Sequence, residues 1–278
     1  MDLTITTLQT ALFWEDPAKN LAHFTEKIAP MPETDILILP EMFTTGFTMK
    51  PETLAEEAGG KGLQWMQKQA QAKNCIIAGS ISVKENGTYY NRLYWVKPDG
   101  TFQSYDKRHL FRMGKEHEYY AAGSSKLIID CKGWKICPLI CYDLRFPVWS
   151  RNTQENTYDL LIYVANWPEV RSFPWKQLLI ARAIENQCYV AGVNRIGVDG
   201  NDVQHSGDTV VLNPRGEAIS QTKAHEDILE TLTLSSEALS EMEYRAEYLG
   251  GAGLNVENIR IIPQGRKDPL GALFNPNP

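Results

Sequence analysis

Residues 134–146 read WKICPLICYDLRF. A short apolar run leads into Cys141, and the polar, charged stretch Tyr142-Asp143 follows at once. Such a run reads as a buried strand. Phe146-Pro147 then opens a helical pattern, with Pro147 well placed at an N-terminus. The segment is therefore a strand–turn–helix with a thiol at the turn. A thiol there meets the positive end of a helix dipole and the free N–H groups of a first turn, which favour a thiolate and an oxyanion alike. The serine version of this geometry has glycines around the nucleophile. Ile140 and Tyr142 stand in those places, so that pattern is missing, and a structural cysteine is the plainer reading of this segment alone. Cys137, inside the apolar strand, reads as core.

Outward from this segment, strands and helices alternate along the chain. LTITTL, DILILP, CIIAGSISV, DLLIYVAN, CYVAGVN, DTVVLN and ILETLTL read as strands. YYNRLYWV and TFQSYD, joined by the turn KPDG, read as a hairpin, and KLIIDC and WKICPLI flank a tight Lys132-Gly133 connection. DPAKNLAHFTEKI reads as a helix with Asp16 as N-cap and Pro17 at its first position. GLQWMQKQAQA, FPVWSRNTQEN, FPWKQLLIARAIEN and SSEALSEMEYRAEYL also read as helices. Hairpins interrupt the alternation, which predicts an α/β layered domain with mixed sheets over residues 1–250. The Gly- and Pro-rich stretch 251–278 is set apart as a tail.

Composition excludes several classes. The chain has 278 residues, 43% of them hydrophobic, enough for a large core. A net charge of -6 without a Lys/Arg-rich run argues against nucleic acid as a partner. No basic segment followed by an apolar one opens the chain and no run of 18 apolar residues occurs, so neither a signal peptide nor a membrane partner is expected. Five irregularly spaced cysteines predict reduced thiols in a cytoplasmic protein. Cys131, Cys137, Cys141, His109 and His117 lack the paired spacing of a structural zinc site, and no Gly-rich phosphate loop occurs, so no metal and no cofactor are predicted.

Two further segments hold residues able to do chemistry. In LILPEMFTTGF, Glu41 stands at the carboxyl end of a buried strand, where open α/β sheets place their sites. In YDKRHLFRMGKEHEYYAAG, residues 105–123, Lys107, Glu116 and Glu118 lie in a long loop among aromatics and two histidines. Taken alone, each fits an ordinary solvated surface. Together with Cys141 they supply a carboxylate, a cation and a thiol, the parts that thiol activation and oxyanion stabilisation need. A carboxylate base leaves little room for a Cys–His dyad with His109 or His117.

LPEMF, YDKRHLF and LICYDLRFP, in that order, resemble the motifs of the nitrilase, or carbon–nitrogen hydrolase, superfamily. The resemblance implies a four-layer α-β-β-α sandwich and a homodimer, with the tail packing at the dimer interface. It implies Glu41, Lys107 and Cys141 as catalytic residues and an oxyanion hole of Lys107 and the Tyr142 N–H. Glu116, which fits the family spacing before a glycine better than Glu118, is implied as a fourth. LPEMFTTGF, KRHLFRMGKEHEYYAAG and VANWPEVR look like the bacterial omega-amidases, which release ammonia from 2-oxoglutaramate and 2-oxosuccinamate, a step that fits methionine salvage. A nitrilase, a carbamoylase or another amidase of the superfamily is one alternative, and a non-enzymatic metal-binding or interaction module is the other. Phe43, Tyr119, Arg145 and Trp167 are candidates for the substrate pocket, and Arg145, Arg195 and Lys176 for the cation that meets the substrate carboxylate.

Overall fold

A computed structural model describes residues 1–153 and 155–240. The first half of the chain builds one sheet from β1 (Leu3–Gln9), β2 (Ile36–Ile38), the two-residue β3 (Glu56–Glu57), β4 (Ile76–Glu85), β5 (Thr88–Val96) and β6 (Phe102–Asp106). The second half builds another from β7 (Ile129–Cys131), β8 (Trp134–Ile140), β9 (Leu160–Ala165) and β10 (Tyr189–Asn194). A small hairpin of β11 (Ile196–Val198) and β12 (Gln204–Ser206) precedes β13 (Val210–Leu212), and β14 (Ile228–Leu234) returns to pair antiparallel with β1. The strand orders are β14-β1-β2-β4-β5-β6, with β3 on β4, and β13-β10-β9-β8-β7. Both sheets are mixed: β1, β2 and β4 run parallel, as do β8, β9 and β10; the short β3 is also parallel to β4, and β5, β6, β7, β13 and β14 pair antiparallel.

The helices are α1 (Pro17–Ile28), α2 (Pro51–Leu54), α3 (Lys61–Lys73), α4 (Glu116–Tyr119), α5 (Pro147–Ser150), α6 (Ser172–Asn186) and α7 (Ser236–Ser240). Successive strand residues point to opposite faces, so β2 serves two cores. Ile36 and Ile38 join the core between the sheets. Leu37 joins Phe24 and Ile28 of α1 and Leu63, Met66 and Ala70 of α3 in the second core. Burial on both faces explains why such strands read as continuous apolar runs. Trp175, Leu179 and Ala183 of α6, spaced by four, join the core of the second sheet, which completes the four layers.

Local chemistry accounts for the expected punctuation. Asp16 caps α1 by accepting from the Lys19 N–H at 3.1 Å, and Pro17 begins it. Lys132 and Gly133 take positive φ of 51° and 83° between β7 and β8, as a two-residue hairpin turn requires. FPVWSRNTQEN departs from the expected helix: only α5, Pro147–Ser150, is helical. Asn152 ends it by hydrogen-bonding elsewhere. Its N–H donates to Asn186 Oδ1 (2.9 Å) and its Nδ2 to the Tyr158 carbonyl (2.8 Å), an alternative to helix that Asn offers readily. Most of the expected final helix and the 251–278 tail lie outside the described residues. Among the described residues no helix is long and apolar enough to cross a membrane.

Candidate active site

β8 delivers Cys141 into a 3₁₀ turn, Cys141–Arg145, and not directly into a helix. Cys141 itself takes the left-handed conformation, φ 43°, without a glycine beside it. Asp143 holds this strained corner. Its Oδ2 accepts from the Ile140 N–H (3.1 Å) and the Tyr105 hydroxyl (2.7 Å). Its Oδ1 accepts from the His109 N–H (2.9 Å) and lies 2.8 Å from His109 Nδ1, which ties the corner to the lysine loop. The helix expected here is the single turn α5, so the dipole contribution shrinks to the local N–H groups of the 3₁₀ turn, Tyr142 among them.

Glu41 follows β2, and Met42 after it also has φ 43°. The Met42 N–H donates to Ser80 Oγ at 2.8 Å and fixes that bend on β4. Lys107 follows β6. Its N–H donates to the Asn91 carbonyl (3.0 Å), and its own carbonyl accepts from the Gly123 N–H (2.9 Å). Gly123 allows that approach, since a Cβ there would lie 2.1 Å from the Asp106 carbonyl oxygen.

These placements bring the four expected groups together. Glu41, Lys107 and Glu116 are fully buried, and Cys141 is 8% exposed. Lys107 Nζ lies 2.8 Å from Glu41 Oε1 and 3.0 Å from Glu116 Oε2. Asn91 Nδ2 donates to Oε1 of both carboxylates, at 2.8 and 3.1 Å. The Asn166 N–H donates to Glu41 Oε2 (2.7 Å), its side-chain amide donates to the Glu41 carbonyl, and the Phe111 N–H donates to Glu116 Oε2 (2.6 Å). Glu116 is buried where Glu118 is exposed. The Phe47 ring lies 5.1 Å from Lys107 Nζ.

The electrostatics follow from burial opposed by charge pairs. Burial alone would lower the Lys107 pKa, but Glu116 and Glu41 outweigh it and hold the ammonium charged. Burial raises the Glu116 carboxyl; Lys107 opposes this, and Glu41 adds to it. Burial and then the Glu41 charge push the Cys141 thiol well above the ordinary thiol range, against Lys107. The resting thiol is neutral, with a carboxylate and an ammonium beside it.

Cys141 opens onto a cavity of about 610 Å³. Tyr142, Arg145, Asn166, Trp167 and Arg171 share its walls. Arg145 and Trp167 thus lie where expected. Phe43 does not: it is fully buried in the core of α1 and α3, against Phe24 and Trp65 at 5.3 and 5.6 Å between ring centres. Tyr119 is 40% exposed and does not line the cavity. Arg195 is fully buried and donates to the carbonyls of Ile196 (3.1 Å) and Val198 (3.3 Å). Lys176 pairs with Asp208 at 2.7 Å. Neither of these lines the cavity. Among the described residues no group of three or more His, Cys, Asp or Glu side chains is arranged so that it could hold a metal ion.

Asn91, Asn166 and Arg171 escaped the sequence reading. Asn166 carried a usable signal, because it follows the end of β9 much as Glu41 and Cys141 follow theirs. Asn91 stands beside Arg92 in a strand of mostly aromatic and aliphatic residues, which alone does not tell a site from a satisfied core amide.

The sequence matches the carbon–nitrogen hydrolase family over residues 4–244. It is 48% identical to the omega-amidase YafV of Escherichia coli K12, over 88% of this chain and 94% of that protein. It is 37% identical to the 2-oxoglutaramate amidase of Bacillus subtilis, over 82% and 90%. Among solved structures, XC1258 from Xanthomonas campestris, a CN-hydrolase superfamily protein with an arsenic adduct in its active site, superposes with a TM-score of 0.85. It is 43% identical, over 88% of this chain and 94% of that one.

Proposed function

The chain belongs to the carbon–nitrogen hydrolase family, and we propose that it is an omega-amidase cleaving the terminal amide of 2-oxo dicarboxylate monoamides such as 2-oxoglutaramate. The observation that carries this assignment is the 48% identity across 94% of the omega-amidase YafV. The buried carboxylate–ammonium pair beside a cavity thiol supports the same chemistry.

In the mechanism we favour, Glu41 accepts the Cys141 proton as sulfur attacks the amide carbon. The oxyanion is met by the Lys107 ammonium and the Tyr142 N–H, where one such donor is typically worth about 3 kcal/mol. Glu41 passes its proton to the leaving nitrogen, ammonia departs, and a thioester remains. Glu41 then takes a proton from water as the water oxygen bonds to the thioester carbon; the carbon–sulfur bond breaks, Glu41 returns that proton to sulfur to restore the thiol, and the product acid ionises to the carboxylate. Glu116 holds Lys107 in place and draws the loop in through the Phe111 N–H. A homodimer and a cytoplasmic setting belong to the same proposal, and sedimentation of the purified protein tests the former.

The decisive experiment measures ammonia release from 2-oxoglutaramate beside glutamine, an aliphatic amide and a nitrile, for wild type and Cys141→Ala. Turnover of the keto-amide, lost in the variant, is the expected result. Turnover of another compound, also lost, keeps the thiol chemistry and overturns the substrate. Ammonia accompanied by carbon dioxide from a carbamoyl compound identifies a carbamoylase. Full activity of Cys141→Ala overturns the mechanism.

A further inference from the structure

Two guanidinium groups on the cavity wall have no acidic side chain paired with them among the described residues. Arg145 stands four residues after Cys141 at the end of the same 3₁₀ turn, and Arg171 ends the 3₁₀ turn Glu169–Arg171. Both line the cavity. Neither side chain forms an ion pair or a hydrogen bond among the described residues. Each instead lies over an aromatic face, Arg145 at 5.3 Å from the Trp167 ring centre and Arg171 at 5.3 Å from that of Phe111. Stacking of this kind holds a planar guanidinium in place and leaves its N–H edge available. Arg171 is half-buried and Arg145 is exposed.

The other charged and titratable groups of the lining do not serve as their partners. Asp199 turns back onto its own loop, where Oδ1 accepts from the N–H groups of Asn201 (2.8 Å) and Val203 (3.1 Å). Burial and the nearby Arg195 lower His205 to about 4, so its ring is neutral at pH 7. The two arginines are the cations with which the cavity can meet a bound anion.

One residue fixes both. Trp167 is 4% exposed, its N–H donates to Asn194 Oδ1 (2.8 Å), and its indole Nε1–H donates to the Arg171 carbonyl (2.7 Å). The same indole supports Arg145. Asn166, the residue before it, holds Glu41. A continuous segment, Asn166 to Arg171, therefore joins the carboxylate beside the thiol to the cations of the cavity.

Resting on the amidase function proposed above, we infer that Arg171, together with Arg145 on the wall of the same cavity, is the specificity device of this enzyme: the pair clamps the substrate carboxylate and selects anionic monoamides over neutral amides. Trp167 is a positioning residue that sets the clamp. Charge-assisted bonds of this kind make the distinction large, because a neutral amide leaves both cations unmatched.

The test compares kcat/KM for succinamate and for butyramide, an anionic and a neutral amide of similar length, in wild type, Arg171→Gln, Arg171→Lys and Arg145→Gln/Arg171→Gln. Wild type should prefer the anion. Arg171→Gln should lower the anion-to-neutral ratio by about tenfold to a hundredfold, chiefly through KM. The double variant should lower it further, and Arg171→Lys should recover part of it. A second readout needs no turnover: iodoacetate and iodoacetamide both alkylate Cys141, forming a carbon–sulfur bond and releasing iodide. The iodoacetate-to-iodoacetamide rate ratio should fall in the same order across the variants. Unchanged ratios in the folded double variant overturn the inference. Indifference of wild type to substrate charge overturns it too, while leaving the carbon–nitrogen hydrolase chemistry intact. Failure on 2-oxoglutaramate together with a kept preference for succinamate overturns the omega-amidase assignment and leaves the clamp standing.

Discussion

Replacing Lys107 by Met keeps an unbranched side chain of similar length and removes one buried charge. In the native site the ammonium sits 2.8 Å from Glu41 and 3.0 Å from Glu116, and all three side chains are fully buried. The variant leaves two carboxylates in one dry site, sharing the Asn91 amide and one backbone N–H each. Breaking a buried pair in this way costs about 3–5 kcal/mol. The loss depends on pH with a definite sign. Burial already raises Glu116 above 4.5, and Lys107, ahead of the Phe111 N–H, is the main group that restrains it. Without Lys107 the folded pKa rises further, so the native variant binds more protons than the unfolded chain in the window from about 4.5 up to that raised value. Its stability is retained at low pH and falls as pH rises through the window, with a slope of up to about 1.4 kcal/mol per pH unit for one proton. Urea unfolding near pH 5.5 and near pH 7.5 measures this directly, and the variant should lose up to about 2.7 kcal/mol more at the higher pH than at the lower. Loss of an oxyanion donor should also lower kcat by about 10²–10³. A variant destabilised by less than about 1 kcal/mol and indifferent to pH would refute the view that Lys107 neutralises a buried carboxylate pair.

Three other outcomes are expected. In Tyr105→Phe the lost hydroxyl deserts Asp143 Oδ2 (2.7 Å), Trp149 Nε1 (3.0 Å) and the Arg108 N–H (3.2 Å), and urea unfolding should show a loss of about 1–3 kcal/mol. Gly123→Ala would drive a Cβ to 2.1 Å from the Asp106 carbonyl oxygen, displacing the segment that pairs with Lys107; calorimetry should record a lower melting temperature, and an unchanged one would contradict the packing of that loop. Because burial and Glu41 push the Cys141 thiol up, its alkylation by iodoacetamide should keep rising beyond about pH 9, where an ordinary thiol levels off; a plateau near pH 7 would mean a preformed thiolate.

Much of the framework is legible in the sequence because it is written in local rules. Strand period, the Asp16 cap and the Lys132-Gly133 turn each act within a few residues, and each appears in the fold. The convergence of Glu41, Lys107, Glu116 and Cys141 was within reach because three of them follow the ends of strands. Phe43 illustrates where that logic stops. It stands two residues after Glu41, yet the left-handed bend at Met42 turns the chain and seats Phe43 between α1 and α3. A single φ value decides such a question, and no residue type announces it when the bend is made without glycine. Asn152 ends the α5 helix through contacts with Asn186, thirty-four residues away, which no window of sequence contains. Arg195 is a sequence candidate for the cation that meets the substrate carboxylate and Arg171 is not, and tertiary packing alone separates the one locked onto carbonyls from the one facing the cavity.

The neutral resting thiol bears on how such a site must work. A helix dipole strong enough to hold a thiolate would store charge on sulfur; here the helix after Cys141 is one turn long and burial acts against the anion. The charge is stored instead in the Glu41–Lys107–Glu116 array. In the proposed mechanism the sulfur becomes nucleophilic only as its proton moves to Glu41, so the base must already be in place when substrate arrives. Glu41 is held for that purpose at its carboxylate by Lys107, Asn91 and the Asn166 N–H, and at its carbonyl by the Asn166 side chain. Asn166, which makes two of these four contacts, is followed directly by Trp167, which sets the two arginines. A carboxylate drawn to those arginines would then load a segment whose other end fixes the base, so recognition of the anionic end and readiness of the proton acceptor depend on the same six residues, Asn166 to Arg171.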